Sequence, residues 1–274
     1  MSIRPAWWMT LQAFSYPYIR KLLQNTQRTV LGRLSGYISI PLLSGKNFHI
    51  TYLPINHRIH DIGESIIPLT VIEQIIQESS HLAVIKRCTC RDGNDCQDYP
   101  IELGCLLVGE GAAEIDTGVS RHVSREEALA HVNACIEKGL VPFVGRFKAD
   151  NYLWGVRDRG KLLTICFCCH CCCVIKNSIK HLPSISQDSL VKLKGLEIVT
   201  DDQACTLCGT CVTECFMEAR IRKDDRIVHD AQRCKGCGRC LTVCPENAIS
   251  ADVVNVDEAV ADVLDRVRNR IDYT

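Results

Sequence analysis

Cysteine dominates the chemistry that this sequence can support, because 19 of its 274 residues are cysteines. They lie in tight clusters and their number is odd, so a framework of paired disulfides does not fit them. The start of the chain lacks the charged segment, apolar stretch and small-residue cleavage site of a secretory signal. Thiols stay reduced in the cytoplasm. The cysteines therefore predict metal or iron–sulfur ligation in a cytoplasmic protein.

Two runs in the C-terminal third have the most informative spacing. They read Cys205-x2-Cys208-x2-Cys211-x3-Cys215 and Cys234-x2-Cys237-x2-Cys240-x3-Cys244-Pro245. Three cysteines spaced in this way can bind three corners of a cube of four irons and four sulfides, and a cysteine from elsewhere supplies the fourth corner. Zinc sites also use Cys-x2-Cys pairs, but zinc does not need a third and fourth cysteine in the same run. The runs therefore favour clusters over zinc.

Residues 196–252 resemble a bacterial-type 2[4Fe-4S] ferredoxin domain, in which the last cysteine of each run binds the other cluster. The resemblance implies two [4Fe-4S] clusters, one bound by Cys205, Cys208, Cys211 and Cys244, and one bound by Cys234, Cys237, Cys240 and Cys215. It also implies a hairpin formed by Ala219–Arg222 and Arg226–His229. The sequence departs from the family at Phe216, where a proline is usual.

Ten further cysteines lie in the middle of the chain, with a spacing that matches neither run. The first group is Cys88, Cys90, Cys96 and Cys105, and the second is Cys166, Cys168, Cys169, Cys171, Cys172 and Cys173. Six neighbouring thiols repel one another as thiolates and oxidise easily, so we expect a metal or cluster to hold them. If strands bring the groups together, they can bind one or two more iron–sulfur clusters. Zinc is the alternative for Cys88–Cys105, because four thiolates are its structural preference.

The adjacent cysteines of the second group resemble those of heterodisulfide-reductase-type subunits, although the glycine that follows such pairs is absent here. The middle region is also similar to the cysteine-rich N-terminal portion of uncharacterised ferredoxin-like proteins from anaerobes, and this similarity implies no particular activity. His170 is a candidate to replace one thiolate. Cys135 lies beside the apolar face of a predicted helix, where we expect a buried small hydrophobe.

Hydrophobic patterns predict an α+β middle region that positions these cysteines. A helix should begin at Pro68, and a second one should run from the capping box Ser124–Glu127 to Gly139. Strands are expected at 48–55, 82–85, 140–147 and 161–166, with a turn at 157–160 and with Pro54 favouring a sheet edge for the first.

Composition divides the chain into five segments. These are an aromatic and basic arm at 1–48, a cysteine-rich α+β domain at 49–183, a linker at 184–195, the ferredoxin domain at 196–252, and a C-terminal segment at 253–274 with an amphipathic helix. The arm either packs on its own domain or docks through residues 1–30 on a membrane surface or a partner. No apolar run is long enough to predict a transmembrane segment.

The zero net charge argues against nucleic-acid binding, and no dinucleotide, Walker or serine-hydrolase motif is present. We expect an electron-transfer protein of an anaerobe that relays single electrons through two cubanes to or from a middle-domain cluster, with redox proteins as donor and acceptor. The alternative is an oxidoreductase whose middle-domain cluster or thiols reduce a substrate such as a disulfide. A third interpretation is an iron store or assembly scaffold. Arg233, Lys235 and Arg239 are expected to raise the reduction potential of the second cluster.

Overall fold

The computed structural model describes residues 4–55 and 67–274, which contain both helices and sheets, as an α+β fold requires. The helices of these residues are α1 (Trp7–Gln24), α2 (Val30–Leu42), α3 (Ile67–Glu78), α4 (Thr89–Asp92), α5 (Arg125–Glu137), α6 (Lys148–Trp154), α7 (Val174–Ser178), α8 (Ser184–Gln187), α9 (Thr210–Thr213), α10 (Arg239–Thr242) and α11 (Val256–Arg268). The strands are β1 (Phe48–Tyr52), β2 (Leu82–Ile85), β3 (Leu106–Val108), β4 (Ser120–His122), β5 (Val141–Phe147), β6 (Leu163–Cys168), β7 (Leu190–Val191), β8 (Leu196–Thr200), β9 (Arg220–Lys223), β10 (Arg226–His229) and β11 (Ile249–Val253).

The middle region is built on a seven-stranded sheet in the order β4-β2-β3-β6-β5-β1-β7. All of its pairings are antiparallel except that of β1 with β7. Side chains alternate between the two faces of the sheet. On β2, Leu82 and Val84 join a core with α3, α5 and α11, whereas Ala83 and Ile85 join a core with α1 and α6. The sheet is therefore covered on both sides.

The two predicted helices of this region are confirmed. On α3, Val71, Ile72, Ile75 and Ile76 are fully buried, because they form one face at helical spacing. At the start of α5, the Ser124 hydroxyl accepts a hydrogen bond from the Glu127 amide, and the Glu127 carboxylate accepts one from the Ser124 amide. The turn of the chain into this helix is thus fixed by local sequence.

Two expectations about the strands were wrong in part. Strand β1 does not lie at a sheet edge, because it pairs with β5 on one side and β7 on the other. Pro54 is compatible with this position, since the strand ends at Tyr52. Between β5 and β6 the chain also forms α6 before the turn at 157–160, and the sequence pattern did not predict this helix.

Residues 184–195, predicted as a linker, contain α8 and β7, and Leu190 and Leu193 are buried. These two leucines pack in the hydrophobic cores of the sheet region, so the segment is part of the folded structure. The predicted amphipathic helix near the C-terminus is confirmed as α11, with Val263, Leu264 and Val267 on its buried face.

The region around the two cysteine runs folds as a repeat. Each cysteine of the first run has a counterpart 29 residues later. Strand β9 pairs with β10 in the expected hairpin, and β8 pairs with β11. The segment that precedes the first run therefore lies beside the segment that follows the second run.

Helices α1 and α2 form a hairpin at the N-terminal end, through the loop at 25–29. Helix α1 packs on the protein through Met9, Gln12, Tyr16 and Leu23. Within the described ranges, no helix is both long enough and apolar enough to cross a bilayer.

Candidate metal centres

Sheet order explains why the two middle groups of cysteines meet. Strands β2, β3 and β6 are neighbours, and each is antiparallel to the next. The C-terminal end of β2, the N-terminal end of β3 and the C-terminal end of β6 therefore lie side by side at one end of the strands. Cys88 follows β2, Cys105 precedes β3, and Cys166 is near the end of β6. The register of β3 and β6 places Cys105 opposite Cys166, and their Sγ atoms are 2.7 Å apart.

Seven of the ten thiols line one cavity of about 380 Å³; one of them, Cys169, also belongs to the compact group described below, and the other six are treated as one group. This six-thiol group consists of Cys88, Cys90, Cys105, Cys166, Cys168 and Cys173. Its members lie in pairs. The Cys168 and Cys173 Sγ atoms are 3.2 Å apart, and Cys88 is hydrogen-bonded to Cys90. The rest of the lining is mainly apolar and comes from α1, α2, β5, α6 and α7.

Two thiols of the six-thiol group ionise easily. The pKa of Cys88 is lowered to about 6, because its thiolate accepts a hydrogen bond from Cys90 and lies near Arg91. The pKa of Cys173 is lowered to about 7 by its hydrogen bond with Cys168 and by the charge of Lys176. Thiolates are the form of cysteine that binds metals. The group is therefore suited to ligation near neutral pH.

The other four thiols form a more compact group. In this four-thiol group, Cys96, Cys169, Cys171 and Cys172, all Sγ atoms lie within 4.8 Å of one another. The Sγ atom of Cys171 is 3.7 Å from that of Cys96 and 3.5 Å from that of Cys172. A tetrahedral ion with metal–sulfur bonds of about 2.3 Å separates its sulfurs by about 3.8 Å. No other set of four cysteines in the described part of the chain is this compact.

This division differs from the expected grouping by sequence. Cys96 does not lie with Cys88, Cys90 and Cys105, so the four-cysteine zinc site considered for Cys88–Cys105 does not form as a unit. The reason is that Cys96 follows α4, which carries the chain away from the strand ends to the loop at 169–172. The second group is likewise shared between the six-thiol and four-thiol groups.

Two other candidates lie outside these groups. His170 is not part of the four-thiol group, and its Nδ1 atom is 3.1 Å from the Tyr99 hydroxyl. Burial lowers the pKa of His170. Cys135 is fully buried on α5 with its Sγ atom 3.6 Å from Nε2 of His131, and burial raises the pKa of its thiol.

The structure sorts the eight ferredoxin-type cysteines into two quartets. The first ferredoxin-type group, Cys205, Cys208, Cys211 and Cys244, lines one small cavity. The second, Cys215, Cys234, Cys237 and Cys240, lines another. The last cysteine of each run thus lies with the first three of the other run. The pairing of β8 with β11 causes this crossing, because it carries Cys244 across to the first run.

Backbone amides contact the two crossing cysteines in the same way. The amide of Ala219 donates to the Cys215 Sγ atom at 3.2 Å, and the amide of Ala248 donates to the Cys244 Sγ atom at 3.3 Å. The residue before each amide is in the left-handed region, with φ of 55° at Glu218 and 58° at Asn247. Such a conformation is costly for glutamate and persists only where the surroundings enforce it. Hydrogen bonds to sulfur stabilise its negative charge.

Three buried cations face the thiols. Arg91, Lys176 and Arg220 are 1%, 4% and 2% exposed, and among the described residues none of them forms an ion pair with a carboxylate. The Arg220 Nη2 atom is 3.7 Å from the Cys240 Sγ atom, while the charges of Arg91 and Lys176 act on Cys88 and Cys173. A buried charge needs an opposite charge. The donor set therefore fits anionic metal–thiolate centres.

Lys176 and Tyr52 lie between the six-thiol group and the second ferredoxin-type group. Lys176 acts electrostatically on Cys173 and on Cys237, and its Nζ atom is 5.5 Å from the centre of the Tyr52 ring. The Tyr52 ring contacts Phe216 at 5.9 Å between ring centres. The residue that departs from the ferredoxin pattern thus packs on the middle region.

An open cleft of about 440 Å³ also connects the four-thiol group with the second ferredoxin-type group. Its lining includes Cys171 of the four-thiol group and Cys215 and Cys237 of the second ferredoxin-type group. Lys176 and Arg239 give its wall positive charge. The four-thiol group and the second ferredoxin-type group therefore share one cleft.

Sequence reasoning missed the roles of Tyr16, Tyr52, Lys176 and Arg220. The Tyr16 hydroxyl donates to the carbonyl of Cys172, so α1 is hydrogen-bonded to the cysteine run. A signal existed for Lys176, because a cation three residues after a cysteine run is a candidate counter-charge. For Tyr52 and Arg220 there was no local signal, since both come from elements distant in sequence from the thiols they approach.

The second run also matches a known protein family. Residues 226–249 match a 4Fe-4S binding domain. The match includes Cys234, Cys237, Cys240 and Cys244, so this part of the chain is an iron–sulfur-binding segment, and the prediction of iron–sulfur chemistry is confirmed to that extent. No curated protein sequence and no solved structure matches the chain significantly.

Proposed function

We propose that the protein transfers electrons through several iron–sulfur centres. The two ferredoxin-type groups bind one [4Fe-4S] cluster each, with crossed ligation, and the six-thiol group binds an additional cluster. The observation that carries the proposal is the position of Lys176 and Tyr52, which contact the surroundings of the six-thiol group and of the second ferredoxin-type group together. Centres that share a buried cation and an aromatic ring are close enough to act as a relay.

Solvent exposure indicates which end of the relay a partner protein can reach. Cys208 of the first ferredoxin-type group is exposed, whereas Cys237 of the second group lies in the cleft beside the middle region. A redox protein can therefore approach the first group from solvent. The second group then connects the first with the six-thiol group.

The four-thiol group has a different role in this proposal. Its sulfur spacing suits one tetrahedral ion, zinc or a single iron, better than a cubane. Such an ion links the loop around Cys96 with the loop at 169–172. It stabilises the polypeptide around the six-thiol group and need not carry electrons.

Anaerobic purification followed by iron, sulfide and zinc analysis tests this assignment. Two cubanes account for about eight irons, so iron and sulfide above that level support the additional cluster. About one further zinc or iron ion per protein, with no additional sulfide, supports the four-thiol site. A total of eight irons with no signal beyond two cubanes in the EPR spectrum of reduced protein would contradict the additional cluster.

Single cysteine variants assign each centre. We expect Cys244→Ala to alter the EPR signal of the cluster held by Cys205, Cys208 and Cys211, and to leave the other cubane intact. Cys173→Ala should remove the additional cluster alone. Cys135→Ala is the matched control, because Cys135 is buried but belongs to no group, and it should retain all metal. If Cys244→Ala disturbs only the cluster of its own run, crossed ligation is wrong.

The cavity at the six-thiol group supports a second candidate function, reduction of a small apolar substrate. Pockets of several hundred Å³ with apolar walls and a few polar groups are typical of ligand sites. Asp150 also lines this cavity, where burial raises the pKa of its carboxyl to about 7, and the Thr164 hydroxyl donates to it at 2.6 Å. A substrate there would lie beside the thiols and a protonatable group.

Reoxidation of reduced protein distinguishes the two functions. Small disulfides and quinones are mixed with reduced protein under argon, and absorbance is followed. Saturable oxidation that Ala149→Trp abolishes would support an enzyme, because Ala149 lines the cavity. Oxidation that is equally fast in that variant would support an electron carrier. Ala261→Trp on the exposed side of α11 is the control.

A further inference from the structure

The N-terminal hairpin exposes an apolar surface that no other part of the described ranges covers. On α1, Trp7, Leu11, Phe14 and Tyr18 recur every three or four residues and are 45–71% exposed. This spacing places them in one stripe. The stripe lies opposite the face through which α1 packs on the protein. These exposed side chains therefore do not contribute to the packing of the hydrophobic core.

Helix α2 extends this surface. Val30, Leu31, Leu34, Tyr37 and Ile38 are 58–81% exposed, and the buried positions of the helix are Gly32 and Gly36. A Cβ atom on Gly32 would lie 1.9 Å from the carbonyl oxygen of Asn25, so α2 contacts the protein closely through its glycine side. A mostly apolar helix of this kind is normally covered.

The positive charge of this region indicates which kind of surface it binds. Residues 1–60 contain seven lysines and arginines and no aspartate or glutamate, although the whole chain has no net charge. Lys21, Arg28, Arg33 and Lys46 are exposed, and no ion pair involves them within the described ranges. Cations beside exposed aromatic and aliphatic side chains suit the interface of an anionic bilayer. A second copy of the same face would bring like charges together.

The lengths of the helices determine the mode of contact. Helix α2 has 13 residues and a length of about 20 Å, which is shorter than the roughly 30 Å of a hydrocarbon core. Exposed tyrosines and tryptophan belong at the headgroup level, where their rings are apolar and their polar atoms stay hydrated. We infer that the hairpin α1–α2 docks in the plane of an anionic membrane surface, with the apolar stripes of both helices in the interface.

Flotation with lipid vesicles tests this inference on the intact, metal-loaded protein. Vesicles of phosphatidylcholine with phosphatidylglycerol are compared with vesicles of phosphatidylcholine alone. We expect the protein to float with the anionic vesicles at low salt and to be released at about 1 M salt, where charges are screened within about 3 Å. Neutral vesicles should bind much less.

Two double variants separate the apolar contribution to membrane binding from the electrostatic one. The double variant Tyr37→Ser/Ile38→Ser removes exposed apolar area from α2, and Lys21→Glu/Arg33→Glu reverses two charges. Each should weaken binding to anionic vesicles by at least about tenfold. Val254→Ser is the matched control, because Val254 is 77% exposed but lies far along the chain beside α11. Its binding should equal that of the parent protein.

Two results would overturn the inference. One is equal flotation of the parent protein and both double variants. The other is failure of the parent protein to bind anionic vesicles, together with a dimer in light scattering that Tyr37→Ser/Ile38→Ser converts to a monomer; this would assign the surface to protein–protein contact. Iron content is measured for every variant. Because the variants lie outside all four cysteine groups, unchanged iron shows that the fold is intact and keeps this test independent of the proposed redox function.

Discussion

At the scale of single residues, the buried cations determine the electrostatics of the centres. Lys176 is the most informative of them, because it acts on Cys168 and Cys173 of the six-thiol group and on Cys237 of the second ferredoxin-type group. A positive charge in a region of low dielectric favours the more negative state of a nearby centre. The reduced state carries the additional electron, so Lys176 should raise the reduction potentials on both sides.

Lys176→Met is therefore expected to lower at least one reduction potential, because it removes the charge and keeps an apolar chain of similar length. Lys180→Met is the control, since Lys180 is exposed and pairs with Glu218 at 2.8 Å. Potentials are measured by EPR-monitored redox titration. Identical titrations of the parent and both variants would show that Lys176 has no electrostatic role.

The ion pair of Arg239 with Glu214 allows the reduction potential of the nearby cluster to be shifted in both directions. The Arg239 Nη2 atom is 2.8 Å from Glu214 Oε2, so the carboxylate offsets part of the arginine charge near the second ferredoxin-type group. We expect Arg239→Glu to lower the potential of this cluster and Glu214→Gln to raise it, both modestly because the pair is partly exposed. Voltammograms that do not change, or that shift in the same direction, would contradict this expectation.

At the scale of elements, local patterns predicted what depends on local sequence. The apolar face of α3, the capping box of α5 and the hairpin β9–β10 each follow from residues within one segment. The division of the ten middle cysteines could not be predicted, because it depends on which strands are neighbours in the sheet. Helix α6 was missed because its seven residues lie between two strong strand patterns.

Contacts of the C-terminal residues hold α11 against α3. The hydroxyl of Tyr273 donates to Glu78 Oε2 at 2.6 Å, and Arg268 donates to Glu78 Oε1 at 2.6 Å. The hydrogen bond from Arg268 is the main reason that the pKa of Glu78 is lowered to about 2. This carboxylate therefore stabilises the fold fully above its unfolded pKa, near 4.5, and loses that contribution as the pH falls towards 2.

Tyr273→Phe should lower the free energy of unfolding by about 1 kcal/mol, because it removes one hydrogen bond and keeps the buried ring. In a protein of this size, that corresponds to a decrease in Tm of roughly 2–4 °C. Thermal unfolding is followed by circular dichroism under argon. Thr274→Ala, at an exposed neighbouring position, is the control and should leave Tm unchanged.

At the scale of the whole molecule, the metal centres are expected to contribute to folding as well as to electron transfer. Metal removal leaves Arg220 buried without a counter-charge, and it leaves Arg91 and Lys176 with only the single thiolates of Cys88 and Cys173. Each uncompensated charge costs about 3–5 kcal/mol, and a typical domain is stable by only about 5–15 kcal/mol.

Protein treated with a chelator and a reductant should therefore lose cooperative unfolding and become sensitive to proteolysis between residues 86 and 180. Circular dichroism and mass spectrometry of the fragments measure this. Readdition of iron and sulfide should restore protection. An apoprotein that retains the Tm of the metal-loaded form would show that the buried cations do not depend on the metal centres for stability.

The cavity beside the six-thiol group and the N-terminal hairpin have residues in common. Tyr16, Ile19 and Leu23 of α1 and Leu42 of α2 belong to the cavity wall, and Ile19 also reaches the outer surface. A hairpin docked on lipid would thus place the α1–α2 wall of this cavity next to the acyl chains. An apolar compound dissolved in the leaflet could then enter the cavity without passing through water. Removal of α1 would expose the thiols to oxidants in the aqueous solution.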